Sequence, residues 1–190
     1  MDKRAKFYFI VGPVILSFVF AATQPTVQIY FMKLISSQIL AVSNMIAVGI
    51  AAITNTTITS DKLKELYRKH FTMIVIVDVI CFSAISYGSI LNPNVRFIGF
   101  TILDSLSTTL WSAVISNAVN NVLNGDKLTT WNAFARSSGL YASLVGGLFA
   151  VFVMENINIS VEACLFFQCA SNCLMGFTDL KGFNRINKKE

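Results

Sequence analysis

Apolar residues fall into six long runs along the chain, and polar or charged residues separate them. The runs cover about residues 7–32, 39–54, 71–91, 95–122, 131–154 and 157–179. A helix that crosses the hydrocarbon core of a bilayer needs about 20 mostly apolar residues. The pattern therefore predicts an all-α, polytopic membrane protein in which residues 1–190 form a single domain of six transmembrane helices.

Composition argues against a soluble protein. Of the 190 residues, 54% are hydrophobic and 13% are charged, and the mean hydropathy is +0.62. Soluble domains average about 45–50% apolar and about 25% charged residues. The charged N-terminal segment leads into an apolar run that is too long for a signal-peptide core, so the first run is expected to be a retained helix.

Lysines and arginines alternate between the loops. With six spans, the N-terminal segment, the second and fourth loops and the C-terminal tail hold thirteen of these fifteen residues, and the other side holds Lys33 and Arg96. Short cytoplasmic loops of membrane proteins are enriched in Lys and Arg. Both termini are therefore predicted to be cytoplasmic, in a plasma (inner) membrane. This topology explains the net charge of +5, which therefore implies no nucleic-acid partner; at most, the basic ends also touch anionic lipid headgroups.

The fourth run has polar residues on one helix face. Its stripe consists of Thr101, Asp104, Ser107, Thr108, Trp111 and Ser112. Asp104 lies about ten residues into the run, which corresponds to a depth of about 15 Å. Ionisable groups in a membrane interior usually face a cavity or a partner. Two interpretations stay open, a water-filled cavity lined by the stripe or hydrogen bonds that join packed helices.

Other polar residues in the runs are weaker candidates. Asp78 lies in the third run, Gln24 and Gln28 share a face of the first, and Asp179 is expected at the membrane interface. Burial disfavours the charged form of a carboxylate, so Asp104 or Asp78 could take up and release a proton. The predicted substrate or proton pathway consists of Asp104, Asp78, Thr108, Trp111, Ser112, Gln24, Gln28 and Asn44.

Small residues recur at four-residue spacing in the fifth run. Gly139, Ser143 and Gly147 follow this spacing, and Gly146 lies beside them. Small residues at such intervals let two helix backbones approach closely. We expect tight packing inside the bundle, or close contact at an interface that moves.

Nothing in the sequence points to a catalytic or metal centre. The four cysteines lie inside the runs, where small polarizable side chains fill packing gaps. Cys169 and Cys173 are four residues apart, but the only histidine, His70, lies at a helix end. Sequence motifs typical of hydrolases and metalloproteases do not occur. No enzyme activity, metal or cofactor is therefore predicted.

The longest charged loop covers about residues 55–70, and Asp61 is a plausible N-cap for a short helix within it. With this loop between the second and third helices, the layout resembles the N-terminal half of major facilitator superfamily transporters. Asp61-Lys62 match the Asp-[Arg/Lys] core of that family's loop pattern, and Thr57 and Lys64 stand where the family has glycines.

The resemblance implies a cytoplasmic gate. In the family, an acidic residue of this loop and charges at the turn between helices 4 and 5 form a latch. The segment 121–136 has a similar composition to that turn. The resemblance therefore assigns Asp61, Lys62, Asp126 and Arg136 to a gate.

Family members usually have about twelve helices in two halves, with the substrate between them. The chain would supply one half, as a transporter that dimerises, as a half that pairs with a second polypeptide, or as a piece of a longer transporter. The resemblance implies secondary transport that is proton-coupled or acts on a cationic or small solute. The expected partners are the lipid bilayer, a second half and a small-molecule or ion substrate. The alternative is a non-transporting interaction, immunity or regulatory protein.

Overall fold

A computed structural model describes residues 1–57, 61–87, 92–154 and 159–187. Helices take up 94% of these residues, and no strand occurs among them, so the predicted all-α fold is confirmed. The helices are α1 (Lys3–Leu34), α2 (Ser37–Thr57), α3 (Asp61–Lys69), α4 (Phe71–Tyr87), α5 (Pro93–Val122), α6 (Asp126–Phe149) and α7 (Val161–Asn187). A π-helical segment, Ala150–Met154, continues α6.

The helix bounds follow the predicted runs with a few differences. The short helix α3 begins at Asp61, as the charged loop predicted. Helix α6 begins five residues before the predicted 131, and α7 continues to Asn187, beyond the predicted 179. Residues 88–91 and 157–158, which end the third run and begin the sixth, lie outside the described residues.

Three of the described helices, α1, α2 and α5, are long and apolar enough to cross a membrane. A fourth span results if Leu63–Lys69 and Phe71–Tyr87, which are bent by 71° relative to each other, are counted together. Helices α6 and α7 do not reach this combination of length and apolar content within the described residues. The prediction of several membrane-length helices is confirmed, whereas the count of six is not.

Large apolar side chains are exposed on several helices. On α2, Met45 is 74% exposed and Val48 is 70% exposed, and on α6 Tyr141 is 69% exposed and Leu140 is 64% exposed. Extended apolar surface of this kind marks contact with a membrane or another protein. The exposure fits helices that face lipid.

The chain forms two compact units. Unit 1 contains Met1–Tyr30 and Ala118–Glu190, and therefore most of α1 together with α6 and α7. Unit 2 contains Phe31–Asn117, and therefore α2, α3, α4 and most of α5. Each unit has its own buried residues, such as Cys164 in unit 1 and Phe71 in unit 2.

In unit 1, α1 packs closely against α6 at Gly146. A Cβ atom at this position would collide with the carbonyl oxygen of Phe18 and would lie 3.1 Å from the Cβ of Ala21. A Cβ at Gly147 would have no described atom within 4 Å. The small residues of the fifth run therefore do provide close packing, but the contact uses Gly146 and not Gly147.

Helix α7 contributes many of the buried residues of unit 1. Gly12 of α1 lies against Met175 and Thr178, where a side chain at position 12 would not fit. Asp179, the next residue of α7, is only 4% exposed. Asp179 is therefore packed within unit 1, and its position at the membrane interface stays a prediction.

Candidate acidic site between α4 and α5

Asp78 is a buried carboxylate in the middle of α4. It is 3% exposed, and its Oδ1 accepts hydrogen bonds from Thr108 Oγ1 at 2.6 Å and from Ser107 Oγ at 3.1 Å. Both donors lie on α5. A buried charge requires such partners, because an isolated carboxylate in an apolar environment is strongly unfavourable.

Thr108 is the principal donor to Asp78. The hydroxyl of Ser107 also lies 2.8 Å from the carbonyl oxygen of Leu103 and 3.0 Å from that of Asp104. Because a serine hydroxyl has a single hydrogen, it can donate to only one of these acceptors at a time. Of the two hydrogen bonds to Asp78, the one from Thr108 is the shorter, and it is less divided among acceptors than that from Ser107.

Asp104 lies one helical turn before Thr108, on the same row of α5. It is half-buried, and its backbone carbonyl oxygen lies 3.0 Å from the hydroxyl of Ser107, which also approaches Asp78. The thiol of Cys81, three residues after Asp78 on α4, is 4% exposed. The acidic site is defined here as Asp78, Asp104, Ser107 and Thr108.

The predicted polar stripe of α5 consists of two rows with different surroundings. Ser107 and Trp111 form a packed row and are 4% and 2% exposed. Asp104, Thr108 and Ser112 form the neighbouring row, in which Asp104 is half-buried and the other two are exposed. Both rows reach α4, through Ser107 in one and Thr108 in the other, so hydrogen bonds between packed helices occur in both, and a water-filled cavity stays a prediction.

Asn44 does not belong to the acidic site. It is exposed on α2, one turn before Ala47, whose carbonyl oxygen accepts a hydrogen bond of 2.8 Å from Ser105 of α5. The contact between α2 and α5 therefore uses a backbone carbonyl and not the amide of Asn44.

Gln24 and Gln28 belong to unit 1. The Nε2 of Gln168 on α7 donates to Thr23 Oγ1 at 2.9 Å and to Gln24 Oε1 at 3.2 Å. Gln168 is 2% exposed and Thr23 is 4% exposed, whereas Gln28 is exposed. Gln24 thus helps to join α1 to α7. Our sequence reasoning missed Gln168, although an amide within the sixth apolar run was a usable signal.

The predicted gate residues lie in both units. Asp61 and Lys62 begin α3 in unit 2, but their side chains lie outside the described part of the structure. Asp126 and Arg136 are exposed on α6 in unit 1. The gate therefore stays a prediction.

Metal ligands do not converge in the described chain. No group of three His, Cys, Asp or Glu residues within it could hold a metal ion. No disulfide joins the four cysteines, all of which lie within the described residues; Cys81, Cys164 and Cys169 are buried and Cys173 is exposed.

Comparison with known proteins finds no similar family model, curated protein or solved structure. A proposal of function therefore rests on the residues and geometry described above.

Proposed function

We propose that the protein is one six-span half of a secondary transporter with a major-facilitator-like layout. Both termini would face the cytoplasm, and the membrane would be the plasma (inner) membrane. The transport pathway would form when two halves meet, either two copies of this chain or this chain and a second polypeptide. The observation that carries the proposal is a pair of acidic residues inside unit 2, Asp78 on α4 and Asp104 on α5.

The two carboxylates suit different roles. Asp78 is buried and accepts hydrogen bonds from two hydroxyls of α5, so its carboxyl group is held in place between the helices. Asp104 is half-buried on the more open row of α5. In a poorly hydrated site, a carboxylate favours a bound proton or a bound cation. Asp104 is therefore the group that would exchange a proton or contact a cationic solute.

The six-span arrangement is supported by surface chemistry and charge. On α6, Leu144 is 60% exposed and Phe134 is 57% exposed, in addition to Leu140 and Tyr141. Such a surface suits lipid despite the polar residues elsewhere on this helix. The alternation of Lys and Arg between loops also supports six crossings. The family resemblance assigns Asp61, Lys62, Asp126 and Arg136 to a cytoplasmic gate in this proposal.

Asp104→Asn tests the proposed mechanism. In proteoliposomes that contain the internal pH indicator pyranine and receive ethidium as a cationic probe, we expect the variant to lose pH-driven flux and to retain its fold. Glu162→Gln is the matched control, since Glu162 is exposed at the start of α7, outside unit 2. Flux that is unchanged in Asp104→Asn would remove Asp104 from the mechanism.

The need for a second half is tested by particle mass. In nanodiscs, a protein particle twice the 20.9 kDa chain supports a homodimer. A strict monomer that shows proton-coupled flux would contradict the two-half pathway.

A non-transporting interaction protein is the second candidate, and one observation favours it. Ser107 and Thr108 use their hydroxyls to bind Asp78, which is how polar residues hold membrane helices together. Labelling of Asp104→Cys by a water-soluble thiol reagent, in a background without native cysteines, separates the two functions. A transport pathway requires reaction at this position, whereas a closed scaffold predicts protection.

A further inference from the structure

In unit 1, a cleft of about 510 Å³ lies between the N-terminal parts of α1 and α6. Its charged lining residues are Lys3 and Lys6 of α1 and Asp126 and Lys127 of α6. Three cationic side chains therefore face one carboxylate. All four residues are exposed, and none of the three lysines forms an ion pair with a carboxylate in the described residues.

Helix α6 begins beside this cleft, which adds to its positive potential, whereas the first turn of α1 is already capped by Asp2, whose Oδ1 accepts a hydrogen bond of 2.7 Å from Ala5 N. The first turn of a helix presents unpaired N–H groups and the positive end of the helix dipole. Gly125 precedes α6 with a φ of +52°, a conformation that favours glycine, and it provides no side-chain cap to the N–H groups of α6. An anion in the cleft would interact with these groups as well as with the lysines.

The other part of the lining is apolar and aromatic. Phe7 is 61% exposed and Phe134 is 57% exposed, whereas Trp131 is buried at 8%. A small hydrophilic anion would leave the two phenylalanines in water. The combination of cations and exposed rings fits a ligand that has an anionic head and an apolar tail.

We propose that this cleft binds an anionic phospholipid of the leaflet that the N-terminus faces. The phosphate lies among Lys3, Lys6 and Lys127, and the acyl chains lie along Phe7 and Phe134. Basic groups near the head group of an anionic lipid attract it specifically over a neutral one. The site requires a protein that resides in a membrane, but it does not require transport.

Quenching of tryptophan fluorescence by brominated lipids tests the site, because Trp131 lines the cleft. The full chain is placed in phosphatidylcholine nanodiscs that contain increasing amounts of dibrominated phosphatidylglycerol or dibrominated phosphatidylcholine. Trp131→Phe in the same nanodiscs identifies the contribution of Trp131. We expect a preference of about fivefold or more for phosphatidylglycerol at Trp131.

Two triple variants of equal charge provide the comparison. Lys3→Gln/Lys6→Gln/Lys127→Gln should reduce the preference to about one, whereas Lys33→Gln/Lys69→Gln/Lys181→Gln should retain it, since these lysines do not line the cleft. Equal loss in both variants would show attraction by net charge alone and overturn the site. An equal affinity of the unmodified chain for both lipids would overturn it too, as would displacement of the lipid by 10 mM inorganic phosphate or by an acidic peptide.

Discussion

At the scale of single residues, the carboxylate of Asp78 shows how a buried charge is accommodated between helices. Thr108 and Ser107 approach it from α5, and Thr108 makes the shorter hydrogen bond, 2.6 Å. Thr109, the next residue, instead donates to the carbonyl oxygen of Ser105 in its own helix at 2.7 Å. The hydroxyl of Thr108 therefore bonds to α4, whereas the hydroxyl of its neighbour Thr109 bonds within α5.

Thr108→Val should destabilise the protein by about 1 kcal/mol, because it removes an interhelical hydrogen bond of the kind measured in membrane proteins. A double-mutant cycle with Asp78→Ala, measured by unfolding in mixed micelles, isolates the interaction between the two side chains. We expect a coupling free energy of similar size.

Thr109→Val is the matched control, with the same change of atoms. Its cycle with Asp78→Ala should give a coupling free energy close to zero. Equal coupling for the two threonines would contradict the contact between Thr108 and Asp78.

At the scale of helices, close backbone contact decides how α1 and α6 pack in unit 1. Gly146 leaves room for the carbonyl oxygen of Phe18, while Gly147 points away from described atoms. The rings of Phe18 and Phe149 lie 5.8 Å apart between centroids and extend the same contact. Two adjacent glycines of one helix thus have different importance for packing.

Gly146→Ala should lower the free energy of unfolding by about 1–3 kcal/mol, since the added methyl group overpacks the contact between the two helices. Thermal unfolding of the protein in detergent measures the change. Gly147→Ala should be neutral within about 0.5 kcal/mol or slightly stabilising, because alanine is the better helix former. If Gly147→Ala were the more destabilising variant, the packing described for α1 and α6 would be wrong.

At the scale of the whole molecule, the number of membrane crossings is the main property to determine. Three described helices have the length and apolar content of a span, and the bent pair α3 and α4 makes a fourth possible. The distribution of Lys and Arg predicts six crossings. The two criteria, the length and apolar content of a helix and the distribution of Lys and Arg, disagree for α6 and α7.

Cysteine accessibility at Asn124 and Ser160 distinguishes the possible topologies, since both positions are exposed. In a background without the four native cysteines, six crossings predict that a cysteine at 124 reacts only from the cytoplasmic side and one at 160 only from outside. This result is expected, because lysines and arginines concentrate on the cytoplasmic side.

The two other arrangements give different labelling patterns. Four crossings would place both positions on the cytoplasmic side, and three crossings would place both outside. Either pattern would contradict the six-span proposal. A fluorescent maleimide that does not cross the membrane, applied to right-side-out and inverted vesicles, measures the pattern.

Much of the secondary structure could be predicted from the pattern of apolar residues. Helix periodicity and length are local properties, so the all-α fold, the short helix beginning at Asp61 and the length of α5 followed from the sequence. The end of α7 was less predictable. Its last turns contain Lys181 and Arg185, which interrupt the apolar run, but these cations lie over the rings of Phe177 and Tyr8 and the helix continues.

The candidate site was predictable only in part. The spacing of polar residues in α5 identified Asp104 and Thr108, but it did not show that Thr108 binds Asp78, which is 30 residues away along the chain. For the same reason Gln24 was expected to face a pathway, although it contacts Gln168 on α7. The sequence alone determined which helices form and which polar residues they contain. Only the tertiary structure decided which of those polar groups pair, because pairing depends on how helices distant in the chain pack against one another.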